Sequence, residues 1–174
     1  MNANQPQGNE LYHEEMNFFW GWLAVILFFG VTVLFIILYF VQRTSGPIGQ
    51  NPAPDSLLLI LPAFYFIIAL AMLNFLKLTI TADPRGITVR YGRISRFEPW
   101  DNIESAERDT SSALRSYGGY GIRMGWKQGG TAWVYNIMGP PLLLLKLRQG
   151  KSQYFGFSTK RPDEILAMIH SWKR

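Results

Sequence analysis

Two histidines, no cysteine and a scatter of arginines are the raw material for chemistry in this chain of 174 residues. A metal or acid–base centre would need His13 and His170 brought together with carboxylates. One lies near the start of the chain and the other near its end, so surface or packing roles are expected for both. The absence of cysteine excludes disulfides, thiolate metal sites and cysteine nucleophiles. No HExxH, GxSxG or paired-carboxylate motif occurs. The segment Gly118-Gly119-Tyr120-Gly121 suggests a phosphate loop, but it lacks a following Gly-Lys-Ser/Thr and leads into strand-like residues. Its glycines are expected to supply positive φ and close packing instead. No catalytic residue, metal ligand or cofactor is assigned, and the chain reads as non-enzymatic.

Charge is the stronger signal. Residues 77–174 hold 16 Lys and Arg against 8 Asp and Glu, whereas the first 76 residues hold Arg43 against Glu10, Glu14, Glu15 and Asp55. Arg93, Arg96, Arg115, Arg123 and Lys127 form a dispersed basic set. They are the candidate surface for anionic headgroups or an acidic partner, at about 1 kcal/mol per basic residue near a charged bilayer. Nucleic acid is not expected. Trp126 and Trp133 bracket a glycine-rich turn. Trp133 is assigned to the core, and Trp126 is left open between core and partner surface.

What must position these residues is set by two apolar runs, 18–41 and 57–76, neither containing Lys, Arg, Asp, Glu or His. At about 1.5 Å per residue they reach about 36 Å and 30 Å, against a hydrocarbon core of about 30 Å. Two transmembrane helices are therefore expected. Trp20, Trp22 and Tyr39 suit the headgroup level. The first run is too long for a signal-peptide core and has no basic segment before it, so it is expected to remain. Residues 42–56, rich in Gly and Pro, form the connecting loop, with Asp55 or Ser56 able to cap the second helix. Pro62 lies inside the second run, and Asn74 near its end is the candidate intramembrane contact.

A hairpin puts both termini on one side. Lys77, Arg85, Arg90, Arg93 and Arg96 follow the second span, while the loop offers Arg43. The positive-inside rule then places both termini in the cytoplasm of a multi-pass inner-membrane protein. Residues 1–17 read as a polar tail, disordered or helical from Leu11 onward.

After Leu76 the period changes. Ile87, Val89 and Tyr91 alternate with Thr88 and Arg90, the pattern of a half-buried strand. Residues 77–82, 94–99, 131–137, 142–148 and 152–157 are further strand candidates, and 110–130 reads as loop. Ile165, Met168, Ile169 and Trp172 fall at i, i+3, i+4 and i+7, with Pro162, Asp163 and Glu164 at the helix start. About seven strands and one C-terminal helix are expected over 77–174. The helix would cap a small curled sheet or barrel.

The runs TITADPRGITVRYG, FEPWDNIESAE, YGGYGIRMG and LLLLKLRQGKSQYFGFSTKRPDEILAMI resemble the bacterial pleckstrin-homology-like domain family. The resemblance spans nearly all of 77–174. It implies a seven-stranded curled sheet closed at one end by the C-terminal helix, a superfold that binds lipids, peptides or proteins. The expected function is a membrane-anchored PH-like module that scaffolds or regulates a membrane complex. Its expected partners are membrane lipids and a protein partner or homo-oligomer. The alternative is an oligomeric transport or channel-associated component, with the hairpin lining or supporting a path.

Overall fold

A computed structural model describes residues 12–111, 113–127 and 129–172. The chain divides into a helical unit, Phe19–Leu76, and a β unit built from the segments on either side of it.

The helical unit contains α1 (Phe19–Ser45) and α2 (Asp55–Met72), the latter prolonged by a 3-10 turn at Leu73–Phe75. Both are long and apolar enough to cross a membrane. The helices run antiparallel. Tyr65 of α2 stacks between Phe28 and Phe35 of α1, each ring centroid 6.1 Å away. At the loop end, Gln42 Nε2 donates to Ala53 O and Asp55 Oδ1, both at 2.9 Å. Those bonds tie the last turns of α1, which runs past the apolar run to Ser45, to the residues leading into α2. Neither Asp55 nor Ser56 caps α2; Pro54 is the cap residue, with Asp55 inside the first turn.

Within each helix the buried positions are few. They are Gly21 and Thr32 in α1, and Leu58, Pro62 and Ala69 in α2. Thr32 Oγ1 donates to Phe28 O at 2.9 Å, so its hydroxyl is satisfied within its own helix.

The β unit opens with β1 (Tyr12–Asn17), where a disordered or helical tail was expected. This corrects the reading of 12–17; residues 1–11 lie outside the described residues. The strand was hidden because its inward face, Tyr12, Glu14 and Met16, carries a carboxylate in the middle. β1 joins β2 (Lys77–Asp83), β3 (Gly86–Tyr91) and β4 (Ile94–Pro99) in an antiparallel meander of order β1-β2-β3-β4. Residues 12–18 therefore belong with the β unit that resumes at Lys77, not with a separate tail.

A second sheet has the order β5-β8-β9-β7-β6. Its strands are β5 (Ile103–Asp109), β6 (Gly121–Lys127), β7 (Gly130–Asn136), β8 (Leu142–Leu147) and β9 (Tyr154–Ser158). A short helix, α3 (Ala113–Tyr117), precedes β6 within the stretch expected to be loop. The expected β8–β9 hairpin forms, but β9 then inserts beside β7 and pairs with it in parallel. The two sheets do not join into a closed barrel among the described residues, and residues 77–174 hold eight described strands where about seven were expected, with β1 as a ninth from before the helices.

The core lies between the sheets. Leu78, Ile80, Ile87 and Val89 from the first and Leu143, Leu145, Phe155 and Phe157 from the second are fully buried. Strand β9 is buried along its whole length, as befits a strand paired on both sides. Gly156 lets Val134 and Leu144 close over it, since a Cβ there would meet their side chains at 3.3 and 3.4 Å. The C-terminal helix α4 (Pro162–Trp172) buries Ile165 and Ile169, and Trp172 stacks on Trp100 with ring planes 3° apart.

Candidate functional site

The five basic residues separate into two groups. Arg96 on β4 is half-buried. Its Nε pairs with Glu98 Oε1 at 2.6 Å, its Nη2 donates to Ser152 Oγ at 2.9 Å, and its guanidinium lies 4.5 Å over the Phe155 ring. This arginine fastens one sheet to the other. Lys127 at the end of β6 is also half-buried, with Nζ 2.9 Å from Asp109 Oδ1 and 3.3 Å from Ser111 Oγ. Arg93 in the β3–β4 turn, Arg115 on α3 and Arg123 on β6 are exposed.

Asp109 is the node that occupies Lys127. It closes β5, and its Oδ2 accepts from the Tyr117 hydroxyl at 2.5 Å. Its Oδ1 accepts from the backbone N–H of Ser111 at 2.9 Å and from the Ser111 hydroxyl. Burial alone would raise the Asp109 pKa. The bonds from Ser111, Tyr117 and Lys127 outweigh it and hold the carboxyl down to about 2. Burial, reinforced by the Asp109 charge, pushes the Tyr117 phenol up. Tyr117 reaches this position because Gly125 has no side chain: a Cβ there would lie 2.7 Å from the ring. β5 and β6 are the two outer strands of their sheet, so this cluster links one sheet edge to the other through side chains.

The register locates the exposed arginines. Asn17 pairs with Lys77, and Leu78 pairs with Tyr91, which pairs with Ile94. The β3–β4 turn carrying Arg93 thus lies at the end of the sheet where the chain passes to α1 and arrives from α2. The second sheet presents Arg123 toward the same end. Tyr91 Oη donates to Asn136 O at 2.7 Å, Asn136 Nδ2 donates to Gly119 O at 3.2 Å, and Phe18 lies 6.5 Å from Tyr120. Gly119 sits close beside the Arg123 guanidinium. The glycines at 118, 119 and 121 have φ of 70°, 125° and 99°, which is the backbone role expected of them. The strand that follows them, β6, is not the helix a phosphate loop requires.

Sequence reasoning missed a second node. Glu14 is buried on β1. Its Oε2 accepts from the hydroxyls of Tyr12 and Thr159, both at 2.6 Å, and its Oε1 from the Lys160 N–H at 2.8 Å. Arg161 donates to His13 O at 2.8 Å and covers the Tyr12 ring at 4.4 Å. The first strand is thereby bolted to the segment leading into α4. The only local clue was the alternation of Tyr12, Glu14 and Met16.

Other candidates fall elsewhere. Asn74 lies in the 3-10 turn after α2, where Nδ2 makes a 3.4 Å bond to Ala71 O. His170 Nδ1 is 2.7 Å from Leu166 O on its own helix, and His13 lies on β1. Trp133, expected in the core, is 36% exposed, and Trp126 is 73% exposed. Trp133 shares its face with core residues, but it lies toward the outer β6–β7 hairpin, where cover is lost. An apolar groove of about 460 Å³ runs between the helices, bordered by Thr32, Val33, Leu59 and Pro62. A cleft of about 420 Å³ in the β unit is bordered by Asp109, Ser111, Tyr120 and Asn136.

These features define a two-part chain, a pair of long apolar helices and a two-sheet β unit. No family model, curated protein or solved structure matches it.

Proposed function

We propose that this is a non-enzymatic integral membrane protein whose helical hairpin holds a PH-like module over the inner leaflet, where it binds anionic lipid headgroups and thereby supports a membrane complex. The observation that carries the reading is the position of Arg93 and Arg123. Both are exposed, and both lie at the end of the β unit from which the chain enters the helices. Only Phe18 separates β1 from α1, and only Leu76 separates the 3-10 turn from β2. In this reading such short connections support that end lying within a Debye length, about 8 Å, of the surface the helices enter. The pairing of Asn17 with Lys77 also favours both helix ends emerging on one side of the bilayer. The excess of basic residues after the second span favours the cytoplasmic side.

The transport alternative draws less support. The groove between the helices is walled by apolar side chains, and the Thr32 hydroxyl is already bonded to Phe28 O. The PH-like reading rests on the sequence resemblance together with the meander and the C-terminal helix.

The test uses the full chain, because β1 precedes α1 and a fragment starting at residue 77 would lack a strand. Protein carrying Arg93→Glu, Arg115→Glu and Arg123→Glu should lose most of the anionic phospholipid that copurifies in mild detergent. Lys146→Glu, whose partner is Glu104, is the control. If the triple variant retains the wild-type complement of anionic lipid, the headgroup reading is wrong.

A further inference from the structure

Strand β6 lies at the edge of the five-stranded sheet, paired with β7 on one side and with no described strand on the other. Natural sheets blunt such an edge with proline, a bulge or an outward lysine. β6 has none of these, although α3 packs against the strand at Gly125. Its sequence is Gly121-Ile122-Arg123-Met124-Gly125-Trp126-Lys127, and its ladder with β7 runs without a break over all seven residues. Its one lysine is turned onto Asp109. Ile122, Met124 and Trp126 share one face; Met124 is 62% exposed and Trp126 73%. Trp133, directly across from Met124 on β7, widens this apolar strip.

We propose that β6 is a dimerisation edge, pairing antiparallel with β6 of a second copy about a two-fold axis at Met124. An antiparallel two-fold pair sets each residue opposite one of the same face, so few registers are allowed. An axis at Arg123 opposes arginine to arginine. An axis at Gly125 opposes Arg123 to Lys127. Like charges directly opposite are destabilising. The axis at Met124 avoids both, placing Arg123 opposite Gly125 and Lys127 opposite Gly121. It also stacks apolar on apolar, with Met124 against Met124 and Ile122 against Trp126, and it uses the whole strand. The strand is thus self-complementary, and of the registers free of opposed like charges only this one pairs all seven residues. The strand shares Arg123 with the headgroup site, but this inference does not depend on headgroup binding, since it rests on the edge and the apolar face of β6.

The cysteine-free chain makes the test direct. Residues opposed across an antiparallel pair have Cα atoms about 4.5–5.5 Å apart, inside disulfide range. Full-length Met124→Cys in native membranes should form a covalent homodimer on mild oxidation. Ile122→Cys and Trp126→Cys should each stay monomeric, since a residue and its own copy would lie about 13 Å apart in that register. Coexpressed, those two variants should crosslink to each other. Leu114→Cys, 64% exposed and off the strand, reports random collision. Met124→Cys crosslinking no better than Leu114→Cys would overturn the proposal. A covalent product of another mass would also overturn it and assign the edge to a different protein.

Discussion

The two units invert one another. In the helical unit the buried residues include Gly21, Thr32, Pro62 and Ala69, while Phe29, Leu34, Ile60 and Ile67 are more than half exposed. In the β unit Phe155, Phe157 and Leu145 are fully buried, and the exposed positions include most of the arginines. The rule of removing apolar surface from water is the same in both. Its outcome reverses when the surroundings are hydrocarbon, where packing favours small residues between helices and places large apolar ones outside. The contrast is the one expected of a chain that meets two solvents, and it can be broken at either end.

The largest effect is expected in the β core. Phe155→Ala removes a ring packed against Tyr135, Phe157 and the Arg96 guanidinium. It should destabilise the β unit by about 3–5 kcal/mol. Phe29→Ala in α1, where the ring is 52% exposed, should leave unfolding of the β unit unchanged. Denaturant unfolding of the full chain followed by near-UV circular dichroism measures both. Equal costs would erase the contrast.

Next in size is a charge on the outer face of a helix. Leu34 near the middle of α1 is 53% exposed. In water, Leu34→Arg would be nearly neutral. At the centre of a bilayer it costs about 2.5–3.5 kcal/mol. The variant should therefore partition poorly into carbonate-washed membranes. Undiminished recovery there would mean that the apolar helix surface does not face lipid.

The helices were legible because twenty consecutive apolar residues need no partner to be recognised, and α4 because its stripe has one period. Ile165 and Ile169 of that stripe are buried, and Trp172 finds Trp100. Strands with clean alternation, such as β3, were equally visible. What stayed hidden depends on residues far apart in sequence. The polarity of β1 makes sense only once Glu14 meets Thr159 and Lys160. The parallel placement of β9 beside β7 follows from sheet assembly and leaves no local mark. The basic set was legible as a composition, but Arg96 and Lys127 became internal ties through Glu98 and Asp109, carboxylates that no spacing rule links to them.

Asp109 allows the contrast to be read by pH. Its folded pKa of about 2 lies below the ordinary aspartate value of 3.8. A depressed carboxylate contributes stability above its unfolded pKa and loses it as pH falls through the folded one. The contribution should be complete above about pH 5 and fade between about pH 4 and pH 2, amounting to roughly 2 kcal/mol. Asp109→Asn should flatten that part of the acid-unfolding profile of the β unit. An unaltered profile would show that the Tyr117 and Lys127 bonds do not hold the charge.

The smallest effect separates β1 from the helix it introduces. Tyr12→Phe keeps the ring under Arg161 but removes the hydroxyl that donates to Glu14 at 2.6 Å. A hydrogen bond to a charged acceptor is worth about 1.5–3 kcal/mol. Thr159 and the Lys160 N–H still hold Glu14, so the loss should fall at the lower end of that range, near 1.5 kcal/mol. Hydrogen exchange is the sensitive measure. Amides of β1 and of the segment entering α4 should exchange faster, while those of α1 keep their wild-type protection despite beginning two residues after Asn17. Faster exchange spreading into α1 would mean that the strand and the helix open as one cooperative unit, and the division between the two units would then not be a division in stability.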